Sequence, residues 1–285
     1  MRAFECVPNV SEGRDAGVID ACAQAIAGAG VTLAHRTSDA IHNRTVFTLF
    51  GTRERVLDAA LALAAVACER IDLREHAGAH PRIGALDVLP FVAFGDASAA
   101  DAAEVARAAA ERIWERLRVP AYLYGDAALR DDRRVLANVR AGEFEGLWSR
   151  ADAPDVGDAP HPSAGAIAIG ARAPLVAFNV VLGTGDVRVA RAIARRLRER
   201  GGGLQTLRAL GIALGPERVQ VSFNLTDPVA TPLHRVLGLV RGLAARAGVP
   251  VLGSELIGLV PRAVLENVVE RAFEVRLPGP QNSER

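Results

Sequence analysis

Short runs of β-branched and aliphatic residues alternate along this chain with longer stretches whose apolar positions recur every three to four residues. Runs of the first kind predict strands at 3–7, 31–36, 45–50, 87–94 and 119–124, and helical spacing predicts helices at 16–27, 54–71 and 99–117. The order is β-α-β-β-α-β, followed by one more helix and strand. After a connection rich in Pro, Asp and Gly at 151–162, the order returns. The second series is a strand at 175–182, a helix at 187–200, strands at 207–214 and 219–224, a helix at 233–247, a strand at 249–253, and a closing helix at 261–273 with Pro261 in its first turn. The pattern therefore predicts an α+β chain of two ferredoxin-like (βαββαβ) subdomains, 1–172 and 173–285, each a sheet with helices on one face. A ligand cleft is expected between them. No residue-level repeat accompanies the duplication, which rests on element order alone. Leu136, Val139, Phe144, Leu147 and Trp148 predict that 130–149 packs as a helix or helix-turn on the first half, and 278–285 reads as a frayed tail.

The length of 285 residues suits two compact units, and a chain this long needs no disulfide or metal to hold its core. With 34 basic and 33 acidic residues the formal charge is +1, which argues against a nucleic-acid-coating or membrane-surface protein. Every basic residue is Arg. The absence of Lys excludes a lysine Schiff base, a pyridoxal phosphate anchor and a P-loop. Cys6, Cys22 and Cys68 form no C-x-x-C pair, so neither a disulfide framework nor a cysteine zinc site is indicated, and a reducing cytoplasm is expected. The N-terminus has no apolar signal region, and the longest apolar stretch, 57–68, is shorter than the about 20 residues that span a bilayer.

Four polar segments interrupt strand ends where a core would not need them. In 8–15, Ser11 and Asp15 are candidates to cap the following helix, and its N–H groups would also attract a carboxylate. In 39–44, a turn accounts for Asp39 and Asn43 but not for His42 and Arg44 together. The segment 76–87 holds His76, His80 and Arg82. Gly78 and Pro81 oppose the helix that a pair of zinc-binding histidines would need, and no third ligand stands nearby. An imidazole beside an arginine instead suits acid/base work on an anionic substrate, although a plain surface loop is the competing reading. In 161–172, the small residues between His161 and Arg172 would let a flat ligand approach the backbone, or serve close packing. The segment 183–188 follows a strand as a dinucleotide fingerprint would, but Arg188 replaces its third Gly. Polar strand ends at 222–227 and 253–261 are candidates to complete a cleft.

Six segments in order, 5–14, 42–46, 80–85, 120–125, 176–179 and 253–261, together resemble the glutamate formimidoyltransferase family, which is also the formiminotransferase half of formimidoyltransferase-cyclodeaminase. The resemblance implies transfer of a formimidoyl group between N-formimidoyl-L-glutamate and tetrahydrofolate, a step of histidine degradation, with tetrahydrofolate as co-substrate, and the missing ligand set adds the expectation that no metal is needed. It implies two α/β subdomains, ligands between them and a homodimer. It places the catalytic histidine on His80, before Pro81 and Arg82, and the folate-contacting segment on 161–170, with His161, Ser163, Gly165 and Gly170. Ile41 stands where many relatives carry Asp, and no cyclodeaminase region is expected after the formiminotransferase part.

One imidazole with a pKa near 6.5 can take a proton from the attacking nitrogen and return one to the departing nitrogen, so an acid limb near that pH is expected. Arg14, Arg44, Arg82 and Arg172 are the expected carboxylate-binding forks. Asp39 is expected to hold an amino group or orient His80. Asn9, Ser11, His42, Asn179, Ser222 and Asn224 complete the candidate binding set. Formyl transfer from 5-formyltetrahydrofolate to glutamate, and folate binding without turnover, remain alternatives at this stage.

Overall fold

The computed structural model describes residues 2–273, which fall into two compact units divided between Ala173 and Pro174. The expected tail at 278–285 lies outside the described residues. Eleven strands and eight helices follow in chain order among those described. The first unit holds β1 (Arg2–Cys6), β2 (Asn9–Val10), α1 (Ala16–Gly28), β3 (Thr32–Asp39), β4 (Arg44–Gly51), α2 (Arg53–Arg70), β5 (Leu86–Gly95), α3 (Ala99–Leu117) and β6 (Ala121–Gly125). The short helices α4 (Leu136–Val139) and α5 (Glu143–Gly146) and the strand β7 (Ile167–Ala171) complete it. The second unit holds β8 (Val176–Leu182), α6 (Val187–Leu197), β9 (Leu207–Ala213), β10 (Val219–Leu225), α7 (Leu233–Arg246), β11 (Val251–Ile257) and α8 (Arg262–Phe273).

The second sheet has the order β11-β8-β10-β9 and is antiparallel throughout. Its strands thus lie fourth, first, third, second, the arrangement of a split βαβ unit. The first sheet repeats this order. β1 and β2 both pair with β4 and β5, so they are two pieces of one strand interrupted at Val7 and Pro8, and β3 lies outside β4. Element order alone predicted this likeness, and the sheet topology supplies the pairing behind it.

The first sheet then continues beyond the ferredoxin-like pattern. β7 inserts between β5 and β6, parallel to both, with α3 carrying the chain across. Its composition hid it: Ala168, Gly170 and Ala171 have little β propensity, and the strand forms because both flanking strands satisfy its backbone. β11 also differs from expectation, beginning two residues later than the predicted strand and ending four later. It is an edge strand whose residues 252–256 are exposed, so no alternation marks its length.

Helices α1 to α3 cover one face of the first sheet, over Phe4, Cys6, Phe47, Leu49, Leu89 and Phe91. Asp15, not Ser11, caps α1 by accepting from the Gly17 and Val18 N–H groups. Ser98 and Asp101 form a reciprocal capping box at α3. The buried alanines 59, 60, 64 and 67 of α2 and 102, 103, 106, 109 and 110 of α3 allow these two helices to lie close together. The other face carries polar side chains, because strand residues alternate: Val10 and Phe47 point to the core, so Asn9 and Arg44 point away. Arg133 and Arg150 of the 130–150 segment stack on Tyr122 at 5.0 and 4.5 Å.

Candidate active site

The site is built around a carboxylate that the sheet itself isolates. Opposite β2, Asn9 pairs with Val88 and Val10 with Leu86, so Asp87 is an extra, bulged residue of β5. Asp87 is fully buried. Its Oδ1 accepts the Ile83 N–H at 2.8 Å, and its Oδ2 accepts from Arg44 Nη1 at 2.6 Å and from Arg140 Nη2. Burial alone would raise the Asp87 carboxyl, but Arg140, Arg44 and the Ile83 N–H outweigh it and hold the group far below the usual carboxylate range. Burial and the Arg140 charge pull Arg44 down to about 10 despite Asp87. Arg44 Nε donates to Asn9 Oδ1 at 3.0 Å, and Asn9 is held in turn by its own bond to the Val7 carbonyl at 2.7 Å.

His80 stands beside this group on the 76–87 loop. Its Nδ1 lies 2.8 Å from the Pro81 carbonyl oxygen. A carbonyl only accepts, so in the neutral ring Nδ1 carries the hydrogen and Nε2 keeps the basic lone pair. Burial, with the charges of Arg44 and Arg140, pushes His80 well below its ordinary value, against the smaller pull of Asp87 and the Pro81 carbonyl. His76 is held differently: Nε2 donates to the Asn43 carbonyl at 3.1 Å and Nδ1 accepts from Arg82 Nε at 3.2 Å. Both of its ring nitrogens are engaged, which makes it a support for the loop.

Three loops meet here with little room to spare. A Cβ on Gly78 would lie 2.4 Å from the His42 carbonyl oxygen, and the Ala79 N–H donates to the Ile41 carbonyl. Asn43 ties the same loops together, accepting from the Gly13 N–H at 2.9 Å and donating to the Ala77 carbonyl at 3.2 Å. The His42 and His80 ring centroids are 6.1 Å apart. Asp39 contacts His42, not His80: its Oδ2 lies 2.9 Å from His42 Nδ1, and its Oδ1 accepts the Ile41 and His42 N–H groups. Burial opposes ionisation of Asp39, but those His42 and Ile41 contacts prevail and lower its pKa.

The four expected carboxylate forks fare unequally. Arg44 is buried on Asp87. Arg82 is buried and pairs in bidentate fashion with Glu145 at 2.7 and 2.8 Å, with Glu143 and His76 as further partners, so it fastens the loop instead of presenting an open fork. Arg14 is exposed and donates through Nε to the Ala40 carbonyl, and among the described residues no carboxylate pairs with it. Arg172 is half-buried and bonded to the Ala173 carbonyl, and its charge works against the rise that burial gives the Tyr124 hydroxyl.

Other candidates are held by packing. Ser11 is buried and donates to the Gly84 carbonyl at 2.7 Å. His161 Nδ1 accepts the Ala164 N–H at 3.1 Å, and the Ser163 carbonyl accepts the Leu73 N–H. Gly165 takes a positive φ of 68° against the Ile83 carbonyl, and Gly170 leaves room for the Tyr124 ring, whose Cδ1 a Cβ would approach to 2.5 Å. The small residues of this stretch thus serve close packing of β7. Asn179, Ser222 and Asn224 lie on the second unit's sheet. Asn179 faces Ser222 across β8 and β10 and Glu255 across β11, and donates to Glu255 at 3.0 Å.

Two members of the central cluster carry no motif of their own. Asp87 had a signal, a carboxylate opening an otherwise apolar strand. Arg140 had none. Among the described residues, no group of three or more His, Cys, Asp or Glu side chains is placed to hold a metal ion.

Comparison with known proteins gives this arrangement its context. The model of the formiminotransferase domain, N-terminal subdomain, matches residues 3–172, and that of the formiminotransferase domain matches 177–273. This chain belongs to the formiminotransferase family. Glutamate formimidoyltransferase of Streptococcus pyogenes is 44% identical over 281 residues, covering 96% of this chain and 94% of that protein. Its counterpart in Thermoplasma acidophilum is 40% identical, covering 95% and 92%. Formimidoyltransferase-cyclodeaminase of Gallus gallus is 41% identical and is matched over 52% of its length, so the family's fold recurs there within a longer chain.

Proposed function

We infer that the chain is a glutamate formimidoyltransferase, moving a formimidoyl group between N-formimidoyl-L-glutamate and tetrahydrofolate in histidine degradation and one-carbon metabolism. Family membership and 44% identity over nearly the whole chain support that activity. The observation that carries the mechanism is the His80 ring, whose Nδ1 lies 2.8 Å from the Pro81 carbonyl oxygen, an acceptor that leaves the lone pair of the neutral tautomer on Nε2. In the forward direction a nitrogen of tetrahydrofolate attacks the formimidoyl carbon, and His80 Nε2 takes the proton that this nitrogen sheds. Collapse of the tetrahedral adduct breaks the bond to the glutamate nitrogen, and the same imidazole returns the proton there. Such a relay contributes about 10²–10⁴ in rate.

The Arg44–Asp87–Arg140 cluster gives the loop a rigid footing, while Arg14 and Arg172 supply positive charge for the carboxylates of glutamate and the folate tail. On this reading Asp39 and His42 stand beside His80 in the first unit, Ser11, Arg82, Gly165 and Gly170 shape its loops by packing, and the subdomain boundary lies at 172/173. Three free cysteines suit a reducing cytoplasm. Metal-free chemistry is part of this proposal, and turnover after dialysis against EDTA tests it. The homodimer is the one that the resemblance implies.

The test is steady-state kinetics of His80→Ala and His76→Ala with formimidoyl and formyl donors offered separately. His80→Ala is expected to lower kcat by about 10²–10⁴ with folate affinity within a few-fold, and His76→Ala to do far less. Equal losses from the two substitutions would overturn the assignment. Turnover of the formyl donor alone would overturn the substrate.

A further inference from the structure

The segment carrying α4 and α5 is fastened to the His80 loop at two points. At one, Arg82 pairs with Glu145, and the Phe144 N–H donates to the Arg82 carbonyl at 2.9 Å. At the other, Arg140, the residue that ends α4, reaches Asp87. The two fastenings are chemically unlike. Buried Arg82 is matched by the exposed carboxylate of Glu145, with Glu143 as a second partner, so no positive charge is left over there. Arg140 instead joins a carboxylate that Arg44 already occupies, so two guanidiniums share one buried carboxylate and a positive charge remains beside His80.

A structural ion pair would need only one of those arginines, and with both present burial and the Arg140 charge lower the Arg44 pKa despite the pull of Asp87. We propose that Arg140 is a positioning residue of the reaction: by sharing Asp87 with Arg44 it leaves surplus positive charge that selects the neutral imidazole of His80. The proposal rests on the reading of His80 as the base. The charged and titratable groups around His80 are Arg44 on β4, Arg140 at the end of α4, Asp87 on β5, and His42 with Asp39 on the β3–β4 turn. Of these, Arg44 and Arg140 disfavour the imidazolium and Asp87 favours it. Removing Arg140 therefore acts twice, deleting one repelling charge and freeing more of the Asp87 charge to attract a proton.

The test is the pH dependence of kcat in the full chain for four variants, with thermal unfolding measured alongside. Arg140→Gln keeps a donor for Asp87 without the charge, and Arg140→Met keeps neither. Either is expected to move the acid limb up by about 1 pH unit, so that kcat at pH 6 falls several-fold further than kcat at pH 8. Arg140→Lys keeps the charge and is expected to hold the limb near its original position. Glu145→Gln releases the other fastening and is expected to lower the unfolding temperature with the limb unmoved. Titration of the His80 ring by NMR provides the same readout without turnover.

A limb that stays in place in both neutral variants overturns the proposal, as does an equal shift in Glu145→Gln. His80→Ala separates the two readings. A limb that survives in it refutes His80 as the base, whereas a limb lost there but unmoved by Arg140→Gln refutes only the role of Arg140.

Discussion

Asp87→Asn tests the buried cluster most directly, since it removes one charge and almost no volume. In the native chain Asp87 accepts three hydrogen bonds with no exposure to solvent, two of them from guanidiniums. An amide in its place has one acceptor oxygen and an NH2 that faces Arg44 or Arg140 donor to donor. Removing one partner of a buried ion pair costs about 3–5 kcal/mol, because the remaining charge stays desolvated. At an m-value of about 2 kcal/mol/M this is a fall of about 1.5–2.5 M in the urea midpoint. Both tryptophans, Trp114 and Trp148, lie in the first unit, so their fluorescence reports its unfolding alone. An exposed pair serves as the control: Asp58 lies 3.5 Å from Arg112, and Asp58→Asn is expected to cost less than about 1 kcal/mol.

The pH dependence follows with a definite sign. Asp87 has a folded pKa below its unfolded value of about 3.9, so its stabilisation is complete above that value and is lost as pH falls toward the folded one. The gap between wild type and Asp87→Asn should hold from pH 8 to 5 and narrow below about pH 4. A midpoint shift under about 0.3 M, or a gap unchanged between pH 7 and 3, would refute the account of this cluster.

Two further outcomes are expected. Gly78→Ala should force the His80 loop off the His42 carbonyl, since its Cβ would lie 2.4 Å from that oxygen, and lower kcat more than it raises KM when both are measured at saturating co-substrate. Dialysis against EDTA should leave turnover unchanged, and activity lost to the chelator and restored by zinc would count against the metal-free reading.

The arrangement of the first unit's elements was largely legible in the chain. Strand and helix periodicities from residue 3 to residue 117 end within a few positions of the observed elements, because the helices bury one face and repeat its pattern while β4 and β5, buried along most of their length, read as short apolar runs. The 76–87 loop was also legible, since Gly78 and Pro81 forbid a helix there. β7 and the length of β11 were not. The first consists of small residues whose strand state is imposed by two neighbours, and the second is an exposed edge with no buried face to mark it.

The sequence by itself determined which residues could do chemistry. It offered six histidines, arginine as the sole basic side chain, and ordered motifs centred on His80 and Arg82. What each of these side chains does was decided by the tertiary structure. Arg82 and His76, conspicuous in the motif, are taken up by Glu145 and the Asn43 carbonyl, while Asp87 and Arg140, 53 positions apart, meet beside His80, the proposed base. The physical reason is that a motif records local spacing. The charge felt by His80 is instead a sum over groups from β4, β5 and the end of α4, which only the folded chain brings within a few ångströms of one another.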